Sequence, residues 1–285
     1  MTRLTLDNTA IVVDSTCDPP PGYFDRPGLA MVPLKVNFGD ETYRDGVDLS
    51  PPEFFAKLAS SPVLPTTSQP TVGEFTSVYT ALTRDYEHVL AFHLSSAMSG
   101  TYEASHRAAE AFPSVEVYDT RTVSATITLL VERVRARLAA GIPHDEARDY
   151  IAHFMARNHM LFQVPTLEYL RRGGRIGRAQ SMVGDVFGIR PLITVVDGEL
   201  GAYAKVRGER RALEAMAKFL GEHSDPEDPV KLATWSSDAD EKLPALEAAL
   251  LAARPRSEVM LHGRVGAVVG THGGPGMFAF AMIVE

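Results

Sequence analysis

The first half of the chain alternates short apolar runs with amphipathic segments. The apolar runs, which are typical of buried strands, lie at residues 10–13, 29–38, 89–92 and 115–118. Segments with helical periodicity lie at residues 51–58, 72–82, 102–112, 123–140 and 144–157. Because strands alternate with helices, this half is predicted to form a mainly parallel sheet with helices on both faces, a three-layer α/β/α domain.

The second half has a different pattern. Strands are predicted at residues 160–164, 192–196, 200–206, 230–235, 257–261, 265–269 and 277–284, and helices at 165–172, 209–222 and 242–253. Asp197-Gly198 separates two of these strands and is a strong hairpin signal. We therefore expect an α/β fold of two domains, with residues 159–285 forming a two-layer α/β domain on a mixed sheet and residues 1–158 forming the first domain.

Composition narrows the class of protein. The chain has 285 residues, more than a single core usually supports, and a hydrophobic content of 45% that is ample for a large core. Its net charge of −8 argues against nucleic acid or an anionic membrane as a main partner. A single cysteine, Cys17, excludes an internal disulfide. With no apolar signal-peptide core near the start, the sequence predicts a cytoplasmic protein.

The most membrane-like segment lies near the end of the chain. Residues 265–284 are strongly apolar, but His272 and a glycine cluster interrupt them. We therefore predict two buried strands around a functional loop at this place, and no stable insertion into a membrane.

A hydroxyl-rich segment at residues 65–71 is the first candidate for ligand binding. Thr66, Thr67 and Ser68 stand next to Gln69, and the prolines that bound the segment favour a loop over a core strand. An amphipathic helix follows at once, and the free N–H groups at a helix start suit a carboxylate or a phosphate. The alternative is that a hydroxyl merely caps this helix, with Glu74 in its first turn.

Two further polar segments resemble ligand sites. Residues 93–101, with Ser95, Ser96 and Ser99, follow an apolar run, and the carboxyl end of a parallel strand is where open α/β sheets bind ligands. Residues 271–276 combine Thr271 and His272 with three glycines, which allow the backbone to come close to another group.

Common catalytic signatures are absent from the sequence. There is no Gly-x-Ser-x-Gly elbow, no phosphate-binding Gly-rich motif of the nucleotide-binding kinds, and no pair of histidines at metal-ligand spacing. The sequence therefore predicts no metal site, and a serine hydrolase would need to assemble from scattered Ser, His and Asp residues.

The polar motifs together resemble a known family. They are Val13-Asp14-Ser15-Thr16, Pro33-Leu34, Thr66-Thr67-Ser68-Gln69-Pro70, Leu94-Ser95-Ser96, Ser99-Gly100-Thr101-Tyr102, Gly173-Gly174-Arg175-Ile176, Lys205-Val206-Arg207-Gly208 and Thr271-His272-Gly273-Gly274-Pro275-Gly276. In this order, over essentially the whole chain, they resemble the DegV family of fatty-acid-binding proteins, which includes the FakB subunits of bacterial fatty acid kinase.

The resemblance implies a carrier and not an enzyme. Such a carrier holds a long-chain fatty acid such as palmitate as its ligand, without a cofactor, and presents the carboxyl group to an ATP-dependent fatty acid kinase that makes an acyl phosphate for phospholipid synthesis. Transferred by motif, the carboxylate contacts are first Thr67 and Ser99. The further candidates are Ser68, Ser96, Thr271 and His272.

Several assignments stay open at this point. Arg172 and Arg175 are candidates for docking of the kinase or for binding the charge of an acyl phosphate, or they belong to an ordinary solvated surface. Arg207 is a further docking candidate, with an ion pair at the strand end or a head-group contact as its alternatives. Asp14 either orients the hydroxyl network or caps its loop. Two other functions compete with the carrier: a serine hydrolase or acyltransferase that uses Ser96 or Ser99 with His272, and a site for small polyols or phosphorylated metabolites like that of dihydroxyacetone kinases.

Overall fold

The computed structural model describes residues 3–182 and 188–285. The β-strands are β1 (Arg3–Leu4), β2 (Thr9–Asp14), β3 (Leu29–Val32), β4 (Lys35–Phe38), β5 (Glu41–Arg44), β6 (Thr66–Ser68), β7 (His88–His93), β8 (Val115–Asp119), β9 (Ile142–Pro143), β10 (Asn158–Gln163), β11 (Ile189–Val196), β12 (Glu199–Arg207), β13 (Val230–Ser236), β14 (Glu258–Arg264) and β15 (Phe278–Val284).

The helices complete the chain. They are α1 (Pro51–Ser60), α2 (Val72–Leu82), α3 (Thr101–Ala109), α4 (Ala125–Ala140), α5 (His144–Arg157), α6 (Glu168–Arg172), α7 (Glu209–Glu222), α8 (Leu243–Ala253) and α9 (Ala267–Gly273), with 3₁₀ turns at Ser15–Cys17, Tyr23–Asp25, Gly177–Met182 and Asp240–Lys242. Within the described residues, none of the helices has both the length and the apolar character that crossing a membrane requires.

The first sheet is parallel, as predicted. Its order is β3-β2-β7-β8, and every neighbouring pair runs in the same direction. Along β2, Ala10 and Val12 pack with Phe75 of α2, whereas Ile11 and Val13 belong to the core on the other side, with Ile127 of α4. Both faces of the sheet are therefore buried, because successive side chains of a strand point to opposite faces.

The second sheet is mixed, also as predicted. Its order is β12-β11-β10-β15-β13-β14, and of these pairs only β13 and β14 are parallel. The hairpin at Asp197-Gly198 is confirmed, with positive φ at both residues. One face packs against α7 and α8, and the other shares a core with the first sheet and α4. The boundary at residue 158 falls at the first residue of β10 and stays a prediction.

Two predicted elements of the first half differ from the structure. Residues 29–38 do not form one strand, because the chain leaves the parallel sheet at Pro33 and β4 then pairs with β5 and β6. The hydroxyl-rich segment is not a loop, since Thr66–Ser68 forms strand β6 at the edge of this small antiparallel sheet. An edge strand tolerates polar side chains because only part of it is buried.

The predicted strand at residues 265–269 is wrong. This apolar run forms the start of helix α9, and a short apolar run cannot be assigned to strand or helix by its pattern alone. Two buried carboxylates decide in favour of the helix. Asp18 accepts a hydrogen bond from the backbone N–H of Gly266 at 2.8 Å, and Asp45 accepts one from Ala267 at 2.8 Å.

Candidate functional site

A cavity of about 300 Å³ lies between the carboxyl-terminal edge of the parallel sheet and the second sheet. Its volume is at the lower end of the range typical of small-molecule sites. The residues that line it are Thr16, Leu34, Thr67, Ser68, Gln69, Leu94, Met98, Ser99, Val123, Ser124, Met160, Phe162, Leu170, Arg175, Leu200, Trp235, Val268, Val269, His272, Gly273 and Met277.

The cavity has a polar end and an apolar end. The exposed or half-buried part of its lining carries Thr67, Ser68, Ser99, Arg175 and His272. These side chains come from β6, from the turn before α3, from the loop after α6 and from the last turn of α9. The rest of the lining is mostly buried Leu, Val, Met, Phe and Trp. An elongated amphipathic molecule with a polar head at the exposed end would match this division.

His272 and Thr67 form the central contact of the polar end, with the Nε2 and Oγ1 atoms 2.9 Å apart. The Nδ1 atom of His272 is buried and has no hydrogen-bond partner among the described residues. It lies against Gly173, where an added Cβ would come within 2.2 Å of it. A buried N–H without an acceptor is costly, so we assign the proton to Nε2. In that tautomer His272 donates to Thr67, and the hydroxyl proton of Thr67 is free for a ligand.

His272 stays neutral near pH 7. Burial lowers the pKa of its imidazole to about 4, and the positive charge of Arg175 acts in the same direction. The guanidinium of Arg175 donates to the carbonyl oxygens of Gly173 at 3.0 Å and Met98 at 3.4 Å. In the described part of the chain, no carboxylate pairs with it. An anionic head group would therefore meet a neutral imidazole and a cation without a carboxylate partner.

Ser99 is held by the start of helix α3. Its hydroxyl accepts a hydrogen bond from the N–H of Thr101 at 3.3 Å and shares another with the Thr101 hydroxyl at 2.9 Å. When Thr101 is the donor in the second bond, the proton of Ser99 can be donated to a ligand. Ser68, also in the lining, is exposed at the end of β6.

Of the six residues predicted to contact the carboxylate, Ser96 and Thr271 lie outside the cavity lining. The hydroxyl of Ser96 donates to the carboxylate of Asp119 at 2.5 Å, and that of Thr271 donates to the carbonyl oxygen of Ala267 at 2.8 Å. Each hydroxyl is engaged within the protein, Ser96 with the end of β8 and Thr271 with its own helix. The structure thus brings together Thr67, Ser68, Ser99 and His272 but not these two.

Two backbone N–H groups at the start of helix α2 are already engaged by capping. Its N-cap is Thr71, whose hydroxyl accepts from the N–H of Glu74 while the Glu74 carboxylate accepts from the Thr71 N–H at 2.8 Å. This reciprocal capping matches the alternative left open from the sequence. In this segment the side chains of Thr67 and Ser68 line the cavity.

Two hydroxyls in the buried wall are satisfied by carboxylates behind them. Thr16 donates to Asp14 at 2.5 Å, and Ser124 donates to Asp18. Asp14 also accepts from the N–H of Leu94 at 2.9 Å, so it both caps its loop and orients the network. Because Thr16 and Ser124 already donate to carboxylates, both hydroxyls would keep their acceptors if a hydrocarbon tail lay beside this wall.

Ser124 is a site residue that sequence reasoning missed. Its backbone has φ 64° and ψ −150°, a region that is essentially restricted to glycine, although it precedes helix α4. The bond to Asp18 holds it there in the cavity wall. No local sequence signal marks such a residue, because its partner lies more than one hundred positions away.

Two arginines close to Arg175 in the sequence form ion pairs on the surface. Arg172 contacts Glu168, and Arg178 lies 3.4 Å from Asp197. Arg207 is exposed at the end of β12 and has no carboxylate partner among residues 3–182 and 188–285. Arg175 therefore differs from its neighbours, because it lines the cavity as well as facing solvent.

The three glycines near the C-terminus allow close packing within the protein. A Cβ added to Gly273 would lie 2.9 Å from Met277, one on Gly274 would lie 2.3 Å from the Tyr169 ring, and one on Gly276 would lie 2.8 Å from Pro165. The backbone thus approaches neighbouring side chains of this chain. Their effect on the cavity is to let α6 and its loop lie close to α9, which carries His272.

Replacing Gly274 by alanine should destabilise the fold by about 2–4 kcal/mol, because a new methyl group would overlap the Tyr169 ring at a position with φ +75°. Gly174→Ala is the matched control, since Gly174 also has positive φ (+67°) but no atom of the described part of the chain within 4 Å of the added Cβ. Thermal unfolding measures both variants. Equal losses would mean that the Tyr169 contact contributes nothing beyond backbone strain.

The geometry does not form a serine hydrolase centre. Ser96 is bound to Asp119, Ser99 to Thr101, and His272 to Thr67. In residues 3–182 and 188–285 no carboxylate orients the Nδ1 atom of His272, unlike the histidine of a catalytic triad. Among the described residues, no group of three or more His, Cys, Asp and Glu side chains could hold a metal ion.

Comparison with known proteins identifies the family. The DegV family profile, described as an uncharacterised protein family, matches residues 8–285. A DegV domain-containing protein of Deinococcus radiodurans is 32% identical over 274 residues, which cover 96% of this chain and 97% of that protein.

Two solved structures extend the similarity to three dimensions. A DegV family protein from Thermus thermophilus, described as binding fatty acid, has a TM-score of 0.92 and 32% identity, covering 98% of this chain and all (100%) of that chain. DegV of Bacillus subtilis, described as a fatty acid binding protein, has a TM-score of 0.86 and 27% identity, covering 98% and 99%. With this agreement in sequence and in fold over nearly its whole length, the chain belongs to the DegV family.

Proposed function

We propose that this protein binds one long-chain fatty acid, with the tail in the apolar part of the cavity and the carboxylate at the polar end. The observation that carries this proposal is the cavity itself, whose buried walls are apolar while hydroxyls, an imidazole and a guanidinium gather at its exposed end. The fatty-acid-binding relatives from Thermus thermophilus and Bacillus subtilis support it.

The tail would supply most of the affinity. Burying a methylene contributes ~0.8 kcal/mol, so the roughly 14 methylenes of palmitate correspond to a gross gain of about 11 kcal/mol. A hydrogen bond nets about 1 kcal/mol, and one to a charged group about 1.5–3 kcal/mol. Thr67, Ser99 and Arg175 therefore act mainly to fix which end of the molecule faces solvent.

We further propose that the exposed carboxylate is the substrate of an ATP-dependent fatty acid kinase, which would convert it to an acyl phosphate for phospholipid synthesis. The protein would act as a carrier, and the kinase would supply catalysis. The position of Arg175 at the cavity mouth and the exposed side chains of Arg172 and Arg207 support a docking surface for that partner.

Mass spectrometry of an organic extract of the purified protein tests the carrier function. We expect a fatty acid near one equivalent, and its chain length would measure the cavity. An extract without lipid, combined with no binding of added palmitate or oleate, would contradict the proposal. A fatty acid that co-purifies but is not phosphorylated by a fatty acid kinase would contradict only the partnership.

Replacing Thr67 by alanine should weaken palmitate binding by about 1–3 kcal/mol, because one head-group donor is lost. Kinase-coupled formation of acyl phosphate should fall further, since the carboxylate would lose its fixed orientation. Ser96→Ala is the matched control, because the Ser96 hydroxyl is engaged by Asp119 and lies outside the cavity lining. If Ser96→Ala impaired binding as much as Thr67→Ala, the assignment of the head group to Thr67 would be wrong.

A further inference from the structure

We infer that Gln69 is a positioning residue that holds the Thr67 and Ser99 segments at a fixed spacing, and so sets the preference of the cavity for a carboxylate head. This inference rests on the proposed binding of a fatty acid. In this role Gln69 positions the hydroxyls of Thr67 and Ser99 and does not act directly on the bound molecule.

Gln69 forms a direct hydrogen bond between the segments that carry Thr67 and Ser99, which are otherwise linked indirectly through His272 and Arg175. Thr67 lies in β6, where it pairs with Val36 of β4. Ser99 lies in the turn after β7, where its N–H donates to the carbonyl oxygen of Ser95 at 3.2 Å. Both hydroxyls line the cavity, but neither anchor relates the position of one to the other.

The side chain of Gln69 spans the distance between them. Its Nε2 atom donates to the carbonyl oxygen of Gly100 at 3.2 Å. Gly100 directly follows Ser99 and is the N-cap residue of α3. Gln69 itself lines the cavity and is exposed, so this bond lies at the cavity mouth. Two donors can share one carboxylate only if their spacing is fixed, because hydrogen bonds weaken steeply with distance and angle.

The close approach of Gln69, and not the backbone conformation, explains why residue 100 is a glycine. Gly100 has φ −76° and ψ 12°, a conformation that alanine also adopts. A Cβ at this position would lie 2.2 Å from Oε1 of Gln69 and 3.0 Å from both Cδ and Nε2. The three nearest atoms all belong to Gln69. The carboxamide oxygen therefore occupies the place that a Cβ on Gly100 would take, and a methyl group there would displace it.

This contact gives two independent ways to break the connection. Gln69→Ala removes the side chain, whereas Gly100→Ala leaves the side chain in place but excludes it from its position. In the double variant the added methyl group has nothing left to displace. The two changes should therefore not add, which is the mark of residues that act through one contact.

The experiment compares hexadecanoic acid with hexadecan-1-ol, which has the same tail length but no carboxylate. The single tryptophan, Trp235, lines the cavity, so its fluorescence reports binding of both molecules. We expect wild-type protein to prefer the acid. Gln69→Ala and Gly100→Ala should each lower that preference roughly fivefold, about the effect of one lost hydrogen bond, through weaker binding of the acid alone.

The double variant should be no worse than either single variant, and the thermal midpoints should stay close to the wild-type value. An unchanged acid-to-alcohol ratio in both single variants would overturn the inference while leaving fatty-acid binding intact. Equal weakening of the acid and the alcohol, with a lower midpoint, would also overturn it, because Gln69 would then only stabilise the fold. Failure of wild-type protein to bind either molecule would overturn the proposed function as well.

Discussion

Shortening the acyl chain from sixteen to eight carbons should weaken binding by a factor of at least roughly 10⁴, the largest effect that we expect of any single change to the ligand. Eight methylenes at ~0.8 kcal/mol each correspond to about 6 kcal/mol. The cavity supplies the physical reason, because its buried walls are made by side chains such as Phe162, Leu200 and Trp235. Titration of Trp235 fluorescence with octanoate, dodecanoate and hexadecanoate measures the series.

The Thr67→Ala variant provides the control for this series. It should shift every acid by a similar free energy and leave the increment per methylene unchanged, because head and tail contact different parts of the cavity. Affinity should also stop rising at the length that fills the cavity. A series with no dependence on chain length would show that the bound molecule does not place its tail among the apolar walls.

The parallel character of the first sheet could be predicted because each of its signals is local. The apolar runs at β2, β7 and β8 are followed directly by polar turns, and parallel strands bring those turns to one edge. The same signal led to Ser99 as a candidate site residue. The rule that ligands bind at this edge places the turn that holds Ser99 near the cavity, but it does not choose Ser99 within the turn.

The polar pattern of the turn does not separate Ser96 from Ser99; the order of the two candidates came from the family resemblance. The difference comes from Asp119 at the end of the neighbouring strand, which takes the hydroxyl of Ser96. Likewise, nothing near Arg175 in the sequence indicates that it lines the cavity. Such assignments depend on contacts between residues far apart in the chain, and a pattern of single residues does not contain them.

Helix α9 is the element whose prediction failed with most consequence for the site, because it carries His272. Its start is set by the buried pair Asp18 and Asp45, which come from two loops of the first half of the chain. An added Cβ on Gly266 would lie 3.0 Å from the Oδ1 atom of Asp18 and 3.1 Å from that of Asp45, so the two carboxyls are neighbours. They hold the helix, but they also place two acidic groups together inside the protein.

Replacing Asp45 by asparagine should stabilise the protein at pH 7 by about 1–3 kcal/mol, because it removes a buried charge. Asp45 is 2% exposed, its Oδ2 atom has no hydrogen-bond partner, and no cation pairs with it in the part of the chain that the structure describes. Burial raises the pKa of Asp45 to about 6, and the hydroxyl of Ser15 and backbone N–H groups offset this only in part. Asparagine keeps an oxygen for the N–H of Ala267 without the buried charge.

The pH dependence has a definite sign. The pKa of Asp45 is raised from an unfolded value near 3.8 to about 6, so the folded protein binds this proton more tightly than the unfolded chain. The resulting stability is fully present below pH 3.8 and is lost as the pH rises through about 6. Roughly two pKa units correspond to about 3 kcal/mol. The advantage of Asp45→Asn over wild type should therefore grow by about that amount between pH 4 and pH 7.

Comparing the variant with wild type at each pH removes the opposing effect of His272, whose pKa is lowered to about 4 in both proteins. Asp48→Asn gives a control without a trend, because the exposed Asp48 pairs with Arg44 and its pKa is lowered to about 2, so its stability effect changes mainly below pH 4. Urea unfolding from pH 4 to pH 7.5 measures all three proteins. If the difference between Asp45→Asn and wild type did not change over this range, Asp45 would be ionised throughout, and the stability of helix α9 would not depend on its proton.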